Sequence, residues 1–256
     1  MKKILGNRRY LSSVAILIVM LAALSVVIAQ TARRKASPPG DPLISGFKKH
    51  TVASVSDAVD QIMGKRGFMS HDMRPIVAGQ IVGRAITALV KPAPPDQATP
   101  ALATRHSVEM IDNSNPGEVG VIVMQDGLDI AAIGGLMGTA AKARGMAGMI
   151  CDGGVRDVAE LRALGFSVYA RSIIPSTAVG RYASVARNIP VECAGVTVNP
   201  GDIIVAGEDG VVVVPQEKAA EILKRAEEID EREIKMVPFI KQFKSLGETI
   251  KKFNRI

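Results

Sequence analysis

Three short apolar runs constrain this chain most: Val119 to Met124 (VGVIVM), Met146 to Cys151 (MAGMIC) and Val211 to Val214 (VVVV). None carries a charge, and each is bounded by a turn built from Gly, Asn or Asp. Unbroken apolar runs of this length fit strands covered on both faces, where alternation between core and solvent is unnecessary. Helix-like stretches lie between them, so the middle of the chain predicts an α/β domain. Hydrophobic residues make up 47% of the sequence, enough to bury a core on both sides of such a sheet.

The remaining segments fit that frame. Residues 43 to 65 read as helical, with Ser54 or Ser56 as the cap before Asp57. Residues 76 to 90 read as strand broken by Gly79 and Gly83, followed by a Pro-rich loop from Lys91 to Pro100. A helix is predicted from Ala101 to Asp112, ended by the turn Asn113 to Gly117. Gly134-Gly135 opens a helix that runs to about Arg144, with Gly145 just past its end. A short helix from Val158 to Leu164 stops at Gly165, and Ser167 to Ala170, Val191 to Val198 and Ile203 to Ala206 read as strand. Glu217 to about Lys235 is an amphipathic helix, and a second helical tail occupies 236–256.

Charge separates the N-terminus from the rest. Seven of the 32 basic residues (Lys2, Lys3, Arg8, Arg9, Arg33, Arg34 and Lys35) flank the uncharged run at 11–29. The other 25 balance 25 acidic residues, so the folded part is neutral and no nucleic-acid surface is implied. A basic start, an apolar run and small residues at Val27-Ile28-Ala29 make 1–35 a signal peptide. The run is also long enough to span a bilayer, so an uncleaved signal-anchor is the alternative. Either reading puts the domain outside the cytoplasm, periplasmic or secreted, or membrane-anchored. Residues 36–42 are a linker and 43–235 the domain. Cys151 and Cys193 sit in apolar runs without a CxxC or CxxH neighbour, so both are expected as buried free thiols. His50, His71 and His106 form no ligand pattern and read as surface or capping residues.

Two segments could carry chemistry. Gly134-Gly135-Leu136-Met137 enters a helix, and free N–H groups at such an end attract a carboxylate or phosphate. Many helices start after Gly for packing reasons alone, which is the other reading of this segment. Cys151 to Asp157 (CDGGVRD) brings two acids and an arginine across an apparent glycine turn. Asp offers a hard oxygen to Mg²⁺ or Mn²⁺, and Arg a bidentate fork to a carboxylate. Alternatively, Asp157 caps the helix that begins at Val158, and Arg156 is solvated.

Together the two segments resemble the GG-x-M/W-G-x-x-x-A-K-x-x-G … D-G-x-x-R-D pattern of the 4-hydroxy-4-methyl-2-oxoglutarate (HMG) aldolase/RraA-like family. The likeness extends through Leu161 to Phe166, Val168 to Arg171, Gly195 to Asp202 and Asp209 to Pro215, and back to Gly83 to Thr87. It spans about residues 50 to 230. The resemblance implies a swivelling β/β/α-type α/β domain, assembled as a homotrimer or hexamer. It also implies a lyase that cleaves short 2-keto acids to pyruvate with Mg²⁺ or Mn²⁺, as HMG aldolase or oxaloacetate decarboxylase. Asp157 would hold the metal, partly through water, and Arg156 the substrate's carboxylate or keto oxygen. The amides of Gly134, Gly135, Leu136 and Met137 would hold the pyruvyl carboxylate, and a neighbouring subunit would complete the pocket. Lys142 is expected as a solvated helix residue, and Arg171 as a supporting or surface residue.

One departure stands out: Gly207 lies where the family often has an acid, with Glu208 next to it. The family also implies a second function class, a non-enzymatic regulator of ribonuclease activity. A third is a transferase on the same scaffold, although no Walker-type or methyl-donor fingerprint is present.

Overall fold

The computed structural model describes residues 40–253. The predicted signal peptide or anchor (1–35), the start of the linker and residues 254–256 lie outside the described residues. Among the described residues, no helix is long and apolar enough to cross a membrane.

The chain opens with two helices, α1 (Pro42–Phe47) and α2 (Val52–Met63). The expected single helix is split because Thr51 starts a new one, its hydroxyl accepting the Ser54 N–H at 3.0 Å. Ser54, expected as a cap, is instead inside α2 and buried. Then come β1 (Arg74–Val77), the long β2 (Ile81–Pro92), α3 (Pro100–Asp112), β3 (Val119–Met124) and β4 (Ala131–Ile133). The middle continues with α4 (Gly135–Ala143), β5 (Gly148–Val155), α5 (Val158–Leu164), β6 (Val168–Ile173) and β7 (Tyr182–Arg187). The hairpin β8 (Val191–Cys193) and β9 (Val196–Val198) precedes β10 (Ile203–Gly207) and β11 (Gly210–Val214). Two helices, α6 (Ala219–Phe243) and α7 (Leu246–Phe253), close the described chain.

Nine strands form one mixed sheet in the order β1-β6-β5-β3-β2-β10-β11, with β4 added to β5 and β7 to β2. The centre is parallel: β2 pairs with β3, β3 with β5, and β5 with β6. Phe68, just before β1, bridges to Val212 on β11, so the two edges of the sheet approach and the sheet curls towards a barrel. This explains the unbroken apolar runs. Along β3, Val119, Val121 and Val123 point into the curled interior, while Ile122 and Met124 pack under the outer helices. On another outer face, α1, α2 and α6 cover β10 and β11.

Two boundaries differ from expectation for identifiable reasons. Gly83 does not break β2; a Cβ there would lie 2.1 Å from the Gly117 carbonyl oxygen, so the position needs Gly for close packing. The helix expected to end near Lys235 runs on through Pro238 to Phe243. Proline removes one N–H from the helical ladder and crowds the preceding turn, but α6 absorbs it.

Candidate active site

The segment read as a glycine turn is the second half of β5. Every residue from Gly148 to Val155 is buried, and Asp152, Gly153 and Gly154 belong to the strand. This separates the two acids. Asp152 stays inside the fold. Its Oδ1 accepts Arg171 Nη1 at 2.9 Å, and its Oδ2 accepts the Ala194 N–H at 2.5 Å, tying β5 to the β8–β9 hairpin. Arg171 also donates from Nε and Nη2 to Asp72 Oδ2, both at 2.8 Å. Arg171, expected as a supporting or surface residue, is the centre of an Asp–Arg–Asp cluster. The Arg171 hydrogen bond holds the Asp72 carboxyl below the usual carboxylate range, and the Asp72 bond pushes the guanidinium of Arg171 further up.

Past Val155 the chain leaves the sheet. The Arg156 N–H donates to the Ile133 carbonyl at 3.1 Å, fixing the end of β5 beside β4. Asp157 then adopts a left-handed conformation at φ +55°, unusual for a residue with a side chain. The sharp turn sends its carboxylate to the neighbouring helix: Oδ2 accepts the Gly135 N–H at 2.9 Å, with Arg156 Nε 3.7 Å away. Asp157 occupies the N-cap position of α5 but makes no capping bond to it. It caps α4 instead, placing negative charge at that helix's positive end.

The glycines of α4 are there for this approach. A Cβ on Gly134 would stand 2.4 Å from Asp157 Oδ2 and 3.1 Å from Arg156 Cγ. A Cβ on Gly135 would stand 2.0 Å from Glu160 Oε2. Glu160 is a neighbour of the Gly134–Gly135 corner that the sequence reading missed. The available clue was its spacing, an acid three residues after the Asp157 that precedes the helix, which puts both near the helix start. The anion site expected across Gly134 to Met137 is also narrower than predicted. The Gly135 N–H is already taken, and the remaining first-turn donors are those of Leu136 and Met137. The Leu136 side chain is 89% exposed, whereas Met137 packs against the core.

Beside this corner lies a small cleft. Arg156, Gly134 and Met137 line it together with Thr104 and Ser107 of α3 and Thr177 of the loop before β7. Nothing local in the sequence links residues 104, 107 and 177 to residue 156. Gly207, the departure from the family pattern, is not among the cleft's lining residues. It ends β10, where a Cβ would lie 2.8 Å from Val52, so its smallness serves packing.

Among the described residues, no three His, Cys, Asp or Glu side chains gather as a metal-binding group. Asp157 Oδ1 has no partner among the described residues, because both contacts use Oδ2. One open carboxylate oxygen fits a hard, largely hydrated ion such as Mg²⁺, which keeps its waters and needs one or two carboxylates. It does not fit an all-protein cage.

The other expected residues behave as follows. Lys142 is exposed and donates to the Leu164 carbonyl at the end of α5. Cys151 and Cys193 are buried and free, and burial pushes both thiols up. His50 is not a surface residue: its Nδ1 lies 2.6 Å from Asp230 Oδ2, between the α1–α2 turn and α6.

The family model for RraA-like proteins (Aldolase/RraA) matches residues 52–213. This chain belongs to the RraA-like family. The sheet up to residue 213, the corner at Arg156–Asp157 and the cleft fall inside the matched stretch. Among relatives, a protein of Halalkalibacterium halodurans provisionally named 4-hydroxy-4-methyl-2-oxoglutarate aldolase is 30% identical over 188 residues, covering 72% of this chain and 81% of that protein. An uncharacterized protein of Methanocaldococcus jannaschii is 40% identical over 119 residues, covering 46% of this chain but only 56% of its own length. Among solved structures, an uncharacterized protein from Pseudomonas syringae superposes with a TM-score of 0.73 at 26% identity, covering 85% of this chain and 97% of that one. Streptomyces coelicolor RraAS2, described as an unusual member of the RNase ES inhibitor RraA family, superposes with a TM-score of 0.67 at 26% identity, covering 76% and 95%.

Proposed function

We propose that this protein is a divalent-metal-dependent lyase that releases pyruvate from short 2-keto acids, by retro-aldol cleavage of HMG-type substrates or by decarboxylation of oxaloacetate. One observation carries the proposal: Arg156 and Asp157, delivered by β5, turn back onto the Gly134–Gly135 end of α4 beside an open cleft. The relative from Halalkalibacterium supports the reaction class by its name.

Both reactions break a carbon–carbon bond and leave its electron pair on the pyruvyl fragment as an enolate. The chain's own residues suit that charge. The Arg156 side chain, 44% exposed at the cleft, offers a fork to the substrate's carboxylate. The Leu136 and Met137 amides at the positive end of α4 offer fixed donors to an anionic oxygen. Gly134, without a side chain, lets Asp157 and Arg156 close on the end of α4. Asp157 Oδ1 would hold the hydrated cation, and Glu160, which reaches the neighbouring Gly135, brings a further carboxylate to the same helix end. When bound, the metal supplies Lewis-acid stabilisation of the enolate oxygen. A second copy, in a homotrimer or hexamer, would complete the ligand set. The export or anchor reading of 1–35 belongs to the same proposal and places the reaction outside the cytoplasm.

The test follows pyruvate release by metal-stripped protein from oxaloacetate and from HMG, with and without Mg²⁺ or Mn²⁺. Metal-dependent release, lost in Arg156→Ala and Asp157→Ala, is the expected result. A folded protein that releases no pyruvate from either substrate overturns it, and would favour the regulatory function named for the Streptomyces relative.

A further inference from the structure

The two ends of α6 differ in charge and in what covers them. From Glu217 to Glu233 the sequence has seven acids and four bases. From Ile234 to Phe253 it has five lysines and one glutamate. The acidic half packs on α1 and α2, with Ile222, Ala226 and Ile229 in the core. The basic half meets α7 through Phe239 and Phe253, forming a helical hairpin.

That hairpin is apolar where a protein surface is usually not. Phe239 lies between Phe243 of its own helix and Phe253 of α7, with ring centres 5.9 and 5.3 Å apart, and its edge-on contact with Phe253 ties the two helices together. Around this aromatic centre, Ile234, Val237, Phe243 and Leu246 are all exposed, Ile234 by 70%. Lys251 pairs with Glu248 at 2.8 Å, and Lys252 sits over the Phe239 ring. Lys241 and Lys244, beside the exposed Phe243 and Leu246, have no carboxylate partner among the described residues. Exposed apolar side chains interleaved with unpaired lysines suit the boundary between an anionic headgroup layer and its acyl chains. The apolar groups can enter that boundary while the lysine stems lie along it with their ammonium groups at the phosphates. A protein partner matching this charge would need its own acidic rim around an apolar pocket; a bilayer with anionic lipid presents both at once.

We propose that the α6–α7 hairpin docks on an anionic lipid surface through Phe243 and Leu246, steered by Lys241 and Lys244. This contact is independent of the lyase proposal and of any anchoring by residues 11–29. It would hold the folded domain against the bilayer in a defined orientation.

The chain has no tryptophan, which makes the test direct. Phe243→Trp is introduced into the full chain as a single reporter. It is reconstituted in vesicles of phosphatidylcholine alone or mixed with phosphatidylglycerol, each with and without brominated acyl chains. Any anchoring by residues 11–29 is common to both lipid mixtures, so a difference between them reports the hairpin. The expected result is blue-shifted, bromine-quenched emission only with phosphatidylglycerol, reversed by salt. Leu102→Trp, exposed on α3, should show neither effect. Lys241→Gln with Lys244→Gln should weaken the association about 25-fold, about fivefold for each lysine removed near the surface. Identical emission in both lipid mixtures overturns the proposal. So does a blue shift that rises with protein concentration without lipid, which would assign the face to a second copy of the chain.

Discussion

The two ends of the Asp152–Asp157 segment, five residues apart, do opposite work. Asp152 is locked inside the fold: Arg171 and the Ala194 amide take its two oxygens, and Asp72 shares the arginine. Asp157 stands at the exposed end of the strand, with one oxygen on Gly135 and the other uncommitted. The residue type and the local sequence are similar. What separates them is where β5 leaves the sheet. Before that point a carboxylate must be neutralised by partners, because burying a lone charge is costly. After it, solvent supports the charge and leaves it available for a ligand.

That contrast can be broken by experiment. Under the lyase reading, Arg156→Ala and Asp157→Asn should each lower kcat/KM by about 10²–10³, the usual loss when one group that stabilises a developing anion is removed. Their urea midpoints should change little, since the Arg156 side chain is 44% exposed and Asn keeps an oxygen that can accept the Gly135 N–H. Loss of folding in either variant would erase the distinction. At the other end, Arg171→Ala should cost about 3 kcal/mol of stability. That is the lower end for breaking a buried pair, because the guanidinium is 26% exposed. Equilibrium urea unfolding measures it, and activity per folded molecule should hardly change.

Gly134→Ala sharpens the comparison at the exposed end. The backbone there is extended, so strain is not at issue; the new methyl would push Asp157 Oδ2 and the Arg156 stem aside. Activity should fall roughly tenfold or more through misplacement, with little change in stability. Gly135→Ala should do less, because the atom it meets is the free end of the exposed Glu160 side chain. The smallest effect concerns acid. The Asp72 carboxyl titrates below its unfolded value, so its ion pair contributes stability above about pH 4 and loses it as pH falls through the folded value. The urea midpoint should therefore drop below about pH 4, by less in Asp72→Asn than in wild type.

Much of this was legible in the chain. Val119 to Met124 reads as a doubly covered strand and is one, because an unbroken apolar run has no solvent-tolerant face. The α5 helix ends at Gly165, where the left-handed residue that stops it is glycine. Other features left no such mark. Strand β7 (YASVAR) is half-buried with no continuous apolar run, so it was missed; β2 recruits it as a neighbour. The continuation of α6 through Pro238 ran against local propensity and depends on packing with α7.

The candidate site divides the same way. Sequence alone determined that a charged pair, Arg156-Asp157, follows a buried strand and that a glycine pair opens a helix nearby, since strand burial, helix starts and glycine turns are local properties. It also determined the neutral domain and the basic flanks of residues 11–29, because charge is additive. Only the tertiary structure decided that Asp152 belongs to Arg171 and that Asp157 caps a different helix from its own. It alone decided that Glu160 crowds Gly135 and that Thr104, Ser107 and Thr177 line a cleft together with Arg156. Each of these is a contact between segments distant in the chain. The partner of a carboxylate is chosen by which strand lies beside it and how the sheet curls, and no local pattern encodes that choice.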